Sequence, residues 1–113
     1  MKELESETYN FAIQGIGLMK SLEKEFPALT NSELSRCIAA VSIKYMNALN
    51  AEKNEGFALN VRNCHSNALK SSELLNQIGE IENNTFNQQK IELISELKVI
   101  IEKLDIVISK LIF

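Results

Sequence analysis

The sequence is short both of residues that break a chain and of residues that do chemistry. Four glycines and one proline in 113 residues are too few for the many tight turns of an all-β fold, and they favour long uninterrupted helices. A single histidine, His65, excludes a di-iron bundle, which needs Glu-x-x-His on two helices; Arg62 stands where that glutamate would be. Two cysteines, Cys37 and Cys64, make no disulfide framework and read as reduced core residues. No glycine-rich turn precedes a helix: Gly15 and Gly17 fall inside one, so a phosphate loop is missing. The twelve lysines and arginines are scattered and the net charge is −3, with no basic stripe of the kind that phosphate contacts demand. Long apolar runs are missing as well. Met1-Lys2-Glu3-Leu4-Glu5 has no apolar leader segment, and the apolar stretch 91–113 is broken by Lys98, Glu102, Lys103, Asp105 and Lys110. The expectation is a cytoplasmic protein with no membrane partner.

What is present is helical periodicity. Hydrophobic residues make up 45% and charged residues 24%, a globular balance, and the length suits one domain, 1–113, with one core. Leu4, Phe11, Gly15, Leu18 and Leu22 recur at three- and four-residue steps and predict a first helix from about Glu5 to Glu25, ended by Phe26-Pro27. Thr30-Asn31-Ser32-Glu33 reads as a capping box. It opens a second helix with Leu34, Cys37, Ile38, Val41, Tyr45, Ala48 and Leu49 as its main stripe. A polar link over 50–56 leads to a third helix carrying Phe57, Val61, Cys64, Ala68, Ser71, Leu75 and Ile78. After a break at 79–84, Thr85-Phe86-Asn87-Gln88 reads as a second capping box. The fourth helix then keeps heptad spacing through Ile94, Leu97, Ile101, Leu104, Ile108 and Leu111. Its tracts Val99-Ile100-Ile101 and Ile106-Val107-Ile108 have strand propensity, which length, cap and heptad outweigh. Four helices with short links predict an all-α, antiparallel up-down-up-down four-helix bundle.

The apolar surface exceeds what such a bundle needs. Ala39, Ile43 and Met46 form a second stripe on helix two, roughly opposite the first, and Tyr9, Ile13 and Ile16 widen the arc of helix one. One stripe per helix suffices for a monomer, and surplus apolar surface marks interfaces. Ile13, Ile16, Ala39, Ile43 and Met46 are therefore the expected oligomer interface. The alternative is an irregular bundle that buries them itself.

Candidate chemistry is thin. His65, among Val61, Ala68 and Leu69, reads as a half-buried histidine bonded to a neighbouring helix rather than a general base. Cys64 and His65, adjacent on a helix, diverge by about 100° and cannot readily share a metal. Glu73 reads as solvated, and Ser42 as bonded to a helix carbonyl rather than nucleophilic, since no base stands at a suitable spacing. Arg36, Lys44 and Arg62, with Tyr45, form a candidate anionic-ligand surface against the alternative of ordinary solvation. Catalytic, cofactor and metal residues are expected to be absent.

Phe26-Pro27, Ala39-Ala40-Val41-Ser42-Ile43 and Ser71-Ser72-Glu73-Leu74 carry a resemblance to the bacterial four-helix-bundle proteins encoded in intervening sequences of 23S ribosomal RNA genes. The accessory proteins of diversity-generating retroelements are similar to that group. The resemblance implies a four-helix protomer, a ring-like homopentamer and no enzymatic activity. The retroelement members bind nucleic acid and a reverse transcriptase through basic surfaces, and the acidic balance of this chain does not support that role. The leading expectation is a non-enzymatic homo-oligomer, with a nucleic-acid or ribonucleoprotein accessory factor as the alternative and a small-ligand enzyme in the bundle interior as a third.

Overall fold

The computed structural model describes residues 2–112. Among these there are four α-helices, one 3₁₀ turn and no strand. They are α1 (Lys2–Glu25), α2 (Ser32–Leu49), α3 (Asn54–Ile78) and α4 (Asn84–Ser109), with the 3₁₀ turn Pro27–Leu29 between α1 and α2. Contacts join α1 to α2, α2 to α3, α3 to α4 and α4 back to α1, enclosing one core in a rod of 45 × 21 × 20 Å. The arrangement is consistent with a four-helix bundle. No described helix is long and apolar enough to cross a membrane.

The core follows the periodicity. Phe11, Leu18 and Leu22 of α1, Leu34, Ile38, Val41 and Tyr45 of α2, Val61, Cys64, Ala68 and Leu75 of α3, and Leu93, Leu97, Ile100 and Leu104 of α4 are buried. Each large apolar side chain buried this way contributes about 1.5–3 kcal/mol. The buried line of α4 differs from the expected heptad. It runs Lys90, Leu93, Leu97, Ile100, Leu104, while Ile94, Ile101, Ile108 and Leu111 are half-buried along its edge. With Ile100 and Ile101 both apolar, the stripe is wide enough to be placed one residue off. On α3, Ala58 and Leu74 join the core, whereas Phe57 and Ile78 only pack against its edge. Leu49 ends α2 as an exposed residue.

The helix ends also differ from the expected caps. Asn31, not Thr30, caps α2, its Oδ1 accepting from the backbone N–H of Glu33 (2.8 Å) and Leu34 (3.3 Å); the Thr30 hydroxyl donates to the Pro27 carbonyl instead. Asn83 caps α4, accepting from the Phe86 N–H at 2.9 Å, so the Thr85 box falls inside the helix. The link before α3 is shorter than expected, and the helix starts at Asn54. After α3 the chain turns at Gly79, whose φ of 72° suits glycine. The buried Lys90 donates from its ammonium to the Gly79 carbonyl, tying the start of α4 to the end of α3. Phe26 and Phe86 meet edge to face at 6.3 Å, bringing the end of α1 to the start of α4.

Two helical glycines of α1 give a paired test. A Cβ on Gly15 would lie 2.7 Å from Cγ2 of the buried Ile38, whereas one on Gly17 would meet nothing within 4 Å. Gly17→Ala should raise stability by about 0.5–1 kcal/mol through helix propensity. Gly15→Ala should lower it by roughly 1 kcal/mol or more, as overpacking outweighs the same gain. Urea melts of the two variants should shift in opposite directions.

Candidate interaction surface

The five residues expected at an interface lie on the outer side of α1 and α2. Ile13 is 56% exposed, Ile43 55% and Met46 43%; Ile16 and Ala39 are half-buried, with Ile16 packed against the core edge. On α1, Glu7 faces Lys103 of α4, which fixes the flank turned towards that helix. At about 100° per residue, Tyr9, Ile13 and Ile16 fall on the opposite flank, towards α2. On α2, Glu33 reaches Lys70 of α3, and Ala39 and Met46 fall on the flank away from α3, with Ile43 beside them. Gly15 of α1 lies against Ile38 of α2, so α1 and α2 pack as neighbours and their outer sides adjoin. Tyr9, 57% exposed, extends the apolar area. It belongs with Ile13 and Ile16 to the widened apolar arc that the sequence gives helix one, although it is not among the five residues expected at the interface.

The candidate anionic-ligand surface is not a bare cluster of cations. Arg36 pairs with Glu33 at 3.8 Å, and Lys70 lies 3.9 Å from Glu33 and 3.7 Å from Glu73. Arg36 thus belongs to a mixed-charge network that neutralises it. Lys44 is half-buried on α2, and Arg62 is exposed on α3.

The polar and titratable groups mainly fasten helices together. His65 Nε2 lies 2.7 Å from Oδ1 of Asp105, linking α3 to α4. The Cys64 thiol donates to the Val41 carbonyl at 3.2 Å, and burial pushes it up to about 12, where the reactive thiolate is scarce at neutral pH. Burial also pushes the Tyr45 hydroxyl up to about 12. That hydroxyl and the Ser71 hydroxyl are buried without a hydrogen-bond partner among the described residues. Lys103 lies 2.8 Å from Glu7 and 3.0 Å from Glu3. These bonds raise the lysine above its ordinary value and lower Glu3 below it. Among the described residues no group of three or more His, Cys, Asp or Glu is placed to hold a metal.

Glu96 is held above the usual carboxylate range, by burial and then by the charge of Glu92. It lines a polar groove between α1 and α4, where the Gln14 amide, oriented to donate, lies 3.0 and 3.2 Å from its two oxygens. A carboxyl raised in the folded state binds more protons there than in the unfolded chain, so its contribution to stability falls as pH rises. Glu96→Gln should therefore melt slightly higher than the parent at pH 7, by a few degrees at most. The difference should vanish below the ordinary carboxylate range, where both chains carry a neutral group; thermal melts across pH test this.

No family model, no curated protein and no solved structure matches this chain.

Proposed function

We propose that the chain is a non-enzymatic building block that assembles with copies of itself through the outer apolar face of α1 and α2. The observation that carries this reading is the exposure of Ile13, Ile43, Met46 and Tyr9 on adjoining flanks of two helices. Scattered exposed apolar residues are ordinary on a monomer, but a contiguous set on neighbouring elements marks an interface. The resemblance to the intervening-sequence proteins points the same way and adds a ring of five copies.

In this reading the helices alternate in direction around the bundle. Lys103, late in α4, meets Glu3 and Glu7, early in α1, and Lys70, late in α3, reaches Glu33, early in α2. The same alternation extends a second apolar strip along the far side. One turn beyond the His65–Asp105 pair, Leu69 of α3 comes beside Ile101 of α4; Leu69 is 47% exposed and Ile91, further along α4, is 45% exposed. Two different faces on opposite sides suit head-to-tail association, which closes into a ring when the rotation allows.

Mixing two blocked variants tests this geometry. Ile43→Lys blocks one face and Leu69→Lys the other, so each alone should be monomeric. Their mixture should form a dimer and stop there, because one intact face of each remains. If Leu69→Lys assembles like the parent, the far strip is not part of the contact and the association is face to itself. The net charge of −3 gives no support to a nucleic-acid accessory role. RNA binding that weakens steeply with salt would establish that role in place of simple self-assembly.

A further inference from the structure

A separate feature lies at the end of the bundle where α1 and α3 begin and α4 ends. A groove of about 730 Å³ opens there, within the range of roughly 300–1,000 Å³ that small-molecule sites occupy. Its wall is largely apolar: Leu4 from α1, Phe57 from α3, Val107 from α4 and Leu111 just beyond α4. Leu4 is buried, while the other three are half-buried against the core edge. The side chains stand ready to cover an apolar chain, and Ile106, 57% exposed, stands at the rim.

The charges at the groove are unequal in availability. Lys103 is committed to Glu3 and Glu7, at 3.0 and 2.8 Å. Lys110 also lines the groove, is exposed, and among the described residues has no carboxylate within ion-pair distance. Among the described residues, an unpaired cation thus stands beside an apolar trough, which is complementary to a molecule with a hydrocarbon chain and a single anionic head.

We propose that this groove binds an aliphatic carboxylate, its chain lying on Leu4, Phe57, Val107 and Leu111 and its head group paired with Lys110. Burial of each methylene strengthens binding by a constant factor, so affinity should climb with chain length. The carboxylate should be preferred over the uncharged alcohol of equal length, since only the former pairs with the ammonium. The proposal does not depend on self-assembly, because the groove is lined by one protomer alone.

Isothermal titration of the full chain with octanoate, decanoate and dodecanoate, each below its micelle concentration, tests it. Each two-carbon extension should tighten binding by roughly tenfold, and dodecanol should bind several-fold more weakly than dodecanoate. Lys110→Gln should bring dodecanoate down to the level of dodecanol. Ile106→Glu, which sets a carboxylate at the rim, should weaken dodecanoate further. Both substitutions fall on exposed positions, and unchanged far-ultraviolet circular dichroism would confirm that they fold. Equal affinity for acid and alcohol, no dependence on chain length, or an unaltered Lys110→Gln titration would overturn the assignment. So would an Ile106→Glu protein that changes its number of subunits while binding dodecanoate as before, since the groove would then be a contact between copies.

Discussion

Ile43→Lys should dissociate the assembly and leave the protomer folded. Ile43 is 55% exposed, so within one protomer a lysine there projects into water and removes nothing from the core. In the middle of an apolar contact the same ammonium must be stripped of water without a partner. A substitution at the centre of an interface costs on the order of 2–4 kcal/mol, or roughly 30- to 1,000-fold in the association constant. Light scattering should show the mass of a single 12.7 kDa chain, with helical circular dichroism retained. Should the variant instead unfold at every concentration, Ile43 would belong to the protomer's own core.

Phe11→Ala should act in the opposite way. Phe11 lies two residues before Ile13 on α1, yet its side chain is fully buried and points into the shared core. Removing a buried phenylalanine ring costs about 3–5 kcal/mol, because the cavity only partly collapses. Set against the roughly 5–15 kcal/mol that holds most domains together, this is a large fraction. At fixed protein concentration the midpoint of thermal unfolding should fall on the order of 10–25 °C. Whatever remains folded should keep the parental number of subunits. The two variants thus separate folding from association using opposite sides of the same apolar pattern.

The helices were legible because the apolar spacing was long and regular, and the scarcity of glycine and proline left few ways to interrupt it. Their phase was less secure. On α4, Val99-Ile100-Ile101 offers an apolar residue at each of three successive positions, so the stripe can be placed on Ile101 or Ile100. The fold selects Ile100, in line with Leu93, Leu97 and Leu104. The caps failed for a related reason. Thr30-Asn31 and Asn83-Asn84-Thr85 each offer successive cap-forming residues, and which one serves depends on where the preceding turn releases the chain. At Pro27–Leu29 the Thr30 hydroxyl is already taken by the Pro27 carbonyl, leaving Asn31.

The outer face of α1 and α2 could be read in advance, since Ile43 and Met46 lie across the helix from Val41 and Tyr45. Periodicity alone could not say whether a neighbouring helix would cover them. Here the helices close a ring of contacts α1–α2–α3–α4–α1 and leave Ile43 and Met46 exposed. The end groove was beyond the sequence, because Leu4, Phe57 and Leu111 stand more than fifty residues apart from one to the next and only the folded helix ends bring them together. The ion pairs of Lys103 with Glu3 and Glu7 were hidden for the same reason.

The most direct test of self-assembly is the mass of the unmodified chain in solution, by light scattering coupled to size exclusion over a range of concentrations. Self-assembly predicts a mass of two or more whole chains of 12.7 kDa, five if the resemblance extends to the ring. A particle of 12.7 kDa at every concentration, with Ile13, Ile43 and Met46 facing water, would contradict it.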